Sequence, residues 1–318
     1  MRSPGEELLA LCTQAHTDIV LVSPFIKVAA FERVLSAIPY GIKSIRCVTR
    51  WHPEEIASGA SDVEIFDVIK ARAGARLFIH PLLHAKYFRA DDKCLIGSAN
   101  LTQSALGWAM PANLELMYEV LADAQMLRDF EKRLFAVSFE ASQQLMNEMA
   151  AAADLIRVTG SYPKQLREEN LGYDDTSTLP EDVWLPLCTR PERLFQIYAR
   201  QDIDWIIGWT VEAGQRDLRS LRIPAGLGDM VFYRFVAASI QQTPLVQRIQ
   251  EAAVNVITPE VGRNLILSTV DEQYCVYSPE EHWNTILAWL LHFLPHVYRQ
   301  PSGSNNLQKG SEIGELRK

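Results

Sequence analysis

The chain has 318 residues, 48% of them hydrophobic and 22% charged, which is enough for two domains with sizeable cores. A formal net charge of −8 and a pI near 5.5 exclude a uniformly basic, nucleic-acid-coating surface and leave a local positive groove as the place for any phosphate-bearing ligand. The first residues form no apolar signal region and the longest near-apolar run, residues 286–294, is too short to span a bilayer, so a cytoplasmic protein without a membrane partner is expected. Cys12, Cys47, Cys94, Cys188 and Cys275 are odd in number and dispersed, with no C-x-x-C pair, which predicts reduced thiols rather than a disulfide framework or a zinc site.

In chain order, residues 6–15 carry helical periodicity, 19–22 form a buried apolar run, 31–38 return to the helical period and 45–49 make a second strand. Ser61-Asp62-Val63-Glu64 has the capping-box pattern and predicts a helix over 62–73 that Gly74 ends. Residues 77–79 make a strand, and 84–88 with 94–96, joined by Asp91-Asp92, predict a hairpin followed by a helical pattern at 102–105. The stretch 121–156 is rich in Ala, Met, Leu and Glu without Pro or Gly, which predicts one or two long helices. Helices alternating with strands imply an α/β fold with helices on both faces of a sheet.

The composition then changes. Gly160, Pro163, Gly172 and Pro180 crowd into a linker or long loop over 158–182 that separates a domain over 1–157 from a mainly helical one over 183–300. The second domain holds five of the seven tryptophans and helical patterns at 191–200, 230–241, 245–254 and 283–297. A role in oligomerisation, target recognition or protein-partner binding is expected of it. At Trp205, Trp209, Trp283 and Trp289 the apolar neighbours favour core or interface over base stacking. His292 and His296 lack an acidic partner and have Pro295 between them, so no metal site is expected there, and 245–267 is expected to be ordinary helix packing rather than a helix-turn-helix. The tail, 301–318, is rich in Ser, Gly and Asn and is expected to be flexible.

The chemistry is concentrated between His84 and Asn100. With 85–88 extended, the period of two puts His84, Lys86 and Phe88 on one strand face, so imidazole and ammonium meet the same ligand. Gly97-Ser98-Ala99-Asn100 follows a short apolar strand. A glycine there lets backbone approach a ligand, while the Ser98 hydroxyl and Asn100 amide can donate to non-bridging phosphate oxygens. Arg50, after a strand and beside Trp51, is the substrate-binding arginine expected from the first half, where Lys43, Arg46, Arg72, Arg76 and Arg89 are mostly solvated charges.

The segment from His84 resembles the HxKxxxxD…GSxN signature of the phospholipase D superfamily. Asp91 keeps the spacing from Lys86, but the stretch from Asp91 to Gly97 is one residue shorter than the family pattern, so Asp92 is an alternative for the acidic position. The resemblance also takes in the stretch from Asp18 through Ser23 to Lys27 as an opening strand, Val48-Thr49-Arg50 as a second, and Asn113-Leu114-Glu115 as the strand after the motif, about residues 1–150 in all.

It implies a phospholipase D-like mixed β-sheet flanked by helices, with the helical C-terminal domain outside the match. It also implies metal-independent phosphodiester hydrolysis through a phosphohistidine, without a cofactor. His84 would be nucleophile or general acid/base, Lys86 and Asn100 would bind the phosphoryl oxygens, and Ser98 and Gly97 would shape their cradle. Glu115 would hydrogen-bond the histidine's other nitrogen, and Asp91 would complete the catalytic set, contributing to structure more than to proton transfer. His16, His52, His80, His282, His292 and His296 are not followed by Lys two residues later. A single motif in a two-histidine mechanism implies a homodimer. The expected substrate is DNA or RNA, in a prokaryotic restriction or DNA-modification-linked defence system; the alternatives are a lipid hydrolase or an inactive scaffold.

Overall fold

The apolar run after Asp18 becomes the central strand of a seven-stranded mixed sheet in a computed structural model of the chain, which describes residues 2–159, 183–201, 206, 208–271, 275–301 and 305–310. The chain divides into two units, Met1–Pro163 and Lys164–Lys318. The first unit runs α1 (Pro4–Thr13), β1 (Asp18–Val22), α2 (Val28–Ala37), β2 (Ser44–Thr49), α3 (Pro53–Ala57), α4 (Ile65–Lys70), β3 (Ala75–Ile79), β4 (Tyr87–Ala90), β5 (Lys93–Gly97), β6 (Met117–Leu121), α5 (Gln125–Val137), β7 (Phe139–Glu140) and α6 (Gln143–Thr159).

The strands lie in the order β6-β5-β4-β1-β2-β3-β7. β1, β2 and β3 are parallel, while β4 is antiparallel to β1, β5 to β4, and β6 to β5. In consequence β1, β2, β3 and β5 end at the same sheet edge at which β4 and β6 begin. Alternation along the strands splits the core into two layers. Val20, Val22, Val48, Tyr87 and Cys94 pack with Leu127 and Leu134 of α5. Ile19, Leu21, Cys47, Phe88 and Leu95 are buried on the other face, where α1 packs on β4 and β5 and α4 on β3. The helices-on-both-faces arrangement implied by the sequence is present.

α5 is pinned by charge as well as by leucines. Arg89 on β4 donates to both carboxylate oxygens of Asp18, at 2.9 and 2.7 Å, and from Nε to Glu131 of α5 at 2.5 Å, while the Tyr87 hydroxyl reaches the same Glu131 at 2.7 Å. Arg89 is therefore a cross-link between helix and sheet, not the solvated charge expected from sequence.

Several local expectations give way to tertiary contacts. The helix expected over 62–73 shrinks to α4, because Ser61 turns its hydroxyl to the backbone of Ile26 and the Asp62 carboxylate accepts the Val28 amide at 2.8 Å and pairs with Lys27. Neither residue is left to cap. Residues 102–105 form turns instead of a helix, with Leu106 N–H on Thr102 O at 3.0 Å and Trp108 N–H on Gln103 O at 2.8 Å. The long helical stretch is broken by β7, which adds an edge to β3, and α6 runs two residues past the expected boundary at 157. Asn113-Leu114-Glu115 is not a strand, since β6 begins only at Met117.

The second unit is mainly helical: α7 (Leu194–Ala199), α8 (Gly208–Ser220), α9 (Asp229–Gln241), α10 (Pro244–Ala252), α11 (Pro259–Leu267) and α12 (Pro279–Phe293), with a small β8 (Tyr298–Arg299) and β9 (Gln308–Lys309) pair. α8 had no counterpart in the sequence reading. Trp283 and Trp289 are fully buried, whereas Trp209 is 48% exposed, with its indole N–H on the Tyr277 hydroxyl at 2.7 Å. Trp205 and residues 160–182 lie outside the described residues. The tail is not wholly loose: Leu307 is buried and exchanges backbone hydrogen bonds with Ile257, and β9 pairs with β8. Inside this unit the buried Asp217 carboxylate accepts the amides of Leu187, at 3.1 Å, and Cys188, at 2.8 Å. No helix among the described residues is long and apolar enough to cross a membrane.

Candidate active site

One edge of the sheet collects nearly all the residues singled out by their chemistry. Ser23 follows β1, Arg50 follows β2, His84 and Lys86 precede β4, Gly97 ends β5 with Ser98 and Asn100 just beyond, and Glu115 sits two residues before β6. The strand directions alone produce this convergence. His84 and Lys86 are not strand residues, because β4 begins at Tyr87, so the expected alternation with Phe88 is not what brings them together. Phe88 is in the core, and Lys86 instead curls back to donate from Nζ to the His84 carbonyl at 2.9 Å. The His84 ring is on the exposed side of this loop.

Lys86 lies within electrostatic reach of both Arg50 and Glu115. Desolvation is the main influence pushing the ammonium below its ordinary value; the Arg50 charge adds to it and Glu115 opposes it. Arg50 is held by a two-pronged pair with Glu55, with Nε at 3.1 Å from Oε2 and a second, closer contact from Nη2, and its guanidinium lies 5.4 Å from the centre of the Phe25 ring. The two cations, one after β2 and one before β4 on either side of β1, repel one another. Each has an acid beside it, Glu55 paired with Arg50 and Glu115 within reach of Lys86.

The motif's small residues serve each other more than a ligand. A Cβ on Gly97 would stand 2.0 Å from the Leu116 carbonyl oxygen, so the chain entering β6 by itself requires the glycine there. The Ser98 hydroxyl bonds the Glu115 carboxylate and accepts the Leu116 amide at 3.1 Å, which uses its donor and leaves it a positioning group. Glu115 also accepts from the Asn113 amide at 3.1 Å. Among the described residues its hydrogen bonds run to Ser98 and Asn113, and not to the His84 imidazole expected from the resemblance. Asn100 stands with Oδ1 3.3 Å from the hydroxyl of Ser23, which leaves its amide nitrogen available to an anion.

Asp91 is at the wrong end of its strand for catalysis. It occupies the turn after β4, five residues beyond Lys86, which at about 3.3 Å per residue is roughly 16 Å from the site edge. There its carboxylate accepts the amides of His16, Thr17 and Asp18 at 2.7, 2.8 and 3.0 Å as well as the Thr17 hydroxyl. Burial works against the charge, but the Thr17 hydroxyl and the three amides outweigh it and hold the carboxyl down at about 2. Asp92 is exposed in the same turn, so neither candidate acid joins the His84 cluster.

Sequence reasoning did not assign Ser23 or Glu55 a role. Ser23 is fully buried and donates to the Phe25 carbonyl at 2.8 Å while accepting the Leu101 amide at 3.1 Å, which ties the end of β1 to the start of the Asn100 loop. A lone polar residue closing an apolar run was the available signal. His52 and His80 also approach this edge: His52 Nε2 lies 2.7 Å from the Pro81 carbonyl, and His80 is buried with no partner for Nδ1 among the described residues. Burial lowers both imidazoles, so neither adds a further cation. A cavity of about 540 Å³ lined by Arg46, Arg89, Asp91, Leu127, Glu131 and Phe135 opens at the opposite end of the sheet, away from the chemistry. No group of three or more His, Cys, Asp or Glu among the described residues is placed to hold a metal ion.

No family model matches the chain, and no curated protein does. Solved structures similar to it include three of note. NucT from Helicobacter pylori is 10% identical, with 43% of this chain and 89% of that one covered and a TM-score of 0.34. Nuc from Salmonella typhimurium, a phospholipase D family member, is 17% identical, with 43% and 90% covered and a TM-score of 0.35. The phosphatidylserine synthase of Haemophilus influenzae is 14% identical, with 49% and 43% covered and a TM-score of 0.37. At these values the likenesses carry nothing about activity or substrate, and the motif and the geometry of the sheet edge remain the basis for function.

Proposed function

We propose that the first unit is a phosphodiesterase of the phospholipase D type that cleaves DNA or RNA through a phosphohistidine. The observation that supports this reading is the convergence of His84, Lys86, Arg50, Asn100 and Glu115 on one sheet edge from the ends of four strands. An imidazole nitrogen of His84 attacks phosphorus, the bond to the leaving oxygen breaks, and a second imidazolium gives that oxygen its proton. The same imidazole then takes a proton from water, whose oxygen displaces His84 from phosphorus. Lys86, Arg50 and the Asn100 amide stabilise charge on the non-bridging oxygens in both steps.

The second imidazole comes from another copy of the chain, since His80 is buried, the partly buried His52 has its Nε2 on the Pro81 carbonyl, and the chain has one H-x-K. A homodimer is therefore the proposed active unit, with a setting in prokaryotic restriction or DNA-modification-linked defence and the second unit available for target or partner recognition. A lipid substrate is the second reading. It is favoured by Leu82, Leu114 and Leu116, exposed by 42, 103 and 67% on the loops that flank the site.

Incubating the protein with DNA, RNA and phospholipid vesicles in millimolar EDTA tests these readings together. Nucleic-acid cleavage that persists in chelator, with Lys86→Ala losing about 3 kcal/mol of kcat/KM, is expected. Activity that appears only with a divalent ion would overturn the mechanism, and cleavage of vesicles alone would replace the substrate.

A further inference from the structure

We propose that Trp108 is a positioning residue: its ring, wedged against α1 and α2, sets the height at which the connection over residues 98–116 carries Asn100 and Glu115 into the site. The inference rests on the active-site reading given above. That connection has no helix or strand of its own, yet it holds Ser98, Asn100, Asn113 and Glu115, so whatever fixes it also fixes the acid beside Lys86. Its first residues are tied by Lys27 N–H to Leu101 O at 3.0 Å and by Leu101 N–H to the Ser23 hydroxyl at 3.1 Å. Its last are tied by Ser98 N–H to Leu116 O at 3.0 Å. Between them Met110 and Leu114 are 94 and 103% exposed and supply no packing.

The middle is held by the buried Ala105 and Leu106 and, beyond them, by Trp108. Gly5 of α1 donates to Leu106 O at 3.0 Å, and a Cβ at Gly5 would fall 2.3 Å from Cε2 and Nε1 of Trp108, so the indole occupies the space in which a side chain would stand. The Arg33 guanidinium of α2 lies 4.1 Å from the ring centre. The indole N–H is buried without a partner among the described residues. A buried donor left unpaired costs free energy, so shape rather than hydrogen bonding explains the ring's position. Asn113 N–H then bonds Ser104 O at 3.0 Å, which links the wedged turn directly to the strand of chain that bears Glu115.

The test compares Trp108→Ala, Trp108→Phe, Gly5→Ala and Arg33→Gln with wild type, on a chromogenic phosphodiester and by amide hydrogen exchange. Removal of the wedge should cut kcat by about tenfold to a hundredfold, as loosened positioning does, leave KM within about threefold, and shift a limb of the kcat pH profile. Trp108→Phe, flat and apolar, should restore most of kcat. Exchange at Ser98 and Leu116 should accelerate about tenfold or more in Trp108→Ala while Val20 and Val48, in the sheet centre, stay protected.

Arg33 is exposed, so Arg33→Gln preserves folding and should move kcat and local exchange in the same direction by a smaller factor; it decides the matter if the Trp108 and Gly5 variants do not fold. Unchanged kcat and pH profile, or exchange that rises equally at Val20 and Val48, would overturn the proposal. If wild type hydrolyses no phosphodiester, the functional reading fails, and the exchange pattern alone judges the wedge: local acceleration upholds it and none refutes it.

Discussion

Replacing Asp91 separates a catalytic acid from a structural one. Its carboxylate holds three amides and a hydroxyl at the far end of β4, and lowering a carboxyl from its ordinary 3.8 to about 2 corresponds to about 2.5 kcal/mol. The group is only half-buried, and solvent screening reduces this to roughly 1 kcal/mol. Asp91 also has φ of 52°, in the left-handed region that Asp and Asn tolerate and alanine resists at a cost of about 1–2 kcal/mol. Asp91→Ala should therefore lose about 2–3 kcal/mol, Asp91→Gly about 1 kcal/mol less than that, and Asp91→Asn about 1 kcal/mol.

Because the folded carboxyl titrates below the unfolded one, its stabilisation is fully present above 3.8 and is lost as pH falls towards 2. The gap between wild type and Asp91→Asn should accordingly close over that window. Urea unfolding followed by tryptophan fluorescence gives the stabilities, and phosphodiester hydrolysis well below the melting temperature gives kcat per folded molecule. Preserved kcat with reduced stability is expected. A loss of kcat by orders of magnitude in Asp91→Asn at unchanged stability would place Asp91 at the reacting centre and refute the argument.

Mixing wild type with His84→Ala and refolding should lower activity roughly as the square of the wild-type fraction if each site draws a histidine from both copies; a linear fall would rule out the shared site. Glu55→Gln should weaken the hold on Arg50 and raise KM for an anionic diester by about tenfold at modest cost in kcat, and an unchanged KM would remove Arg50 from substrate binding. In the second unit, desolvation raises Asp217 to about 7 against the pull of the Cys188 and Leu187 amides and of Arg216. Its folded form therefore holds its proton more tightly than the unfolded chain does. The stability it contributes is present below 3.8 and lost as pH climbs to about 7. Relative to Asp217→Asn, wild type should lose a few kcal/mol between those limits in chemical unfolding of the intact chain, and a flat difference would contradict the raised value.

How much of this was legible in the sequence depends on how far each partner lies along the chain. The alternating strand and helix periods of the first unit, the hairpin turn at Asp91-Asp92 and the grouping of His84, Lys86, Ser98 and Asn100 are encoded within a few residues of one another. Periodicity and spacing read them directly. Arg50 could be picked out because it follows a buried strand and stands beside Trp51, and the position just after a parallel strand faces the ligand edge.

The tertiary structure decided what each of those residues does, because their partners are remote. Asp91 found its amides 73 to 75 residues away and became a clamp on the chain before β1, and Ser61 and Asp62 abandoned a local cap for the backbone near Ile26 and Val28. Ser98 was claimed by Glu115, 17 residues on, so that a hydroxyl suited to phosphate instead orients a carboxylate. β7 broke a helical pattern because the open edge of β3 offered backbone hydrogen bonds that a continuous helix would leave unmade, and Leu307 left a polar tail because Ile257 offered the same. Local sequence sets which groups are available; burial and the demand that backbone donors be satisfied choose among the long-range pairings.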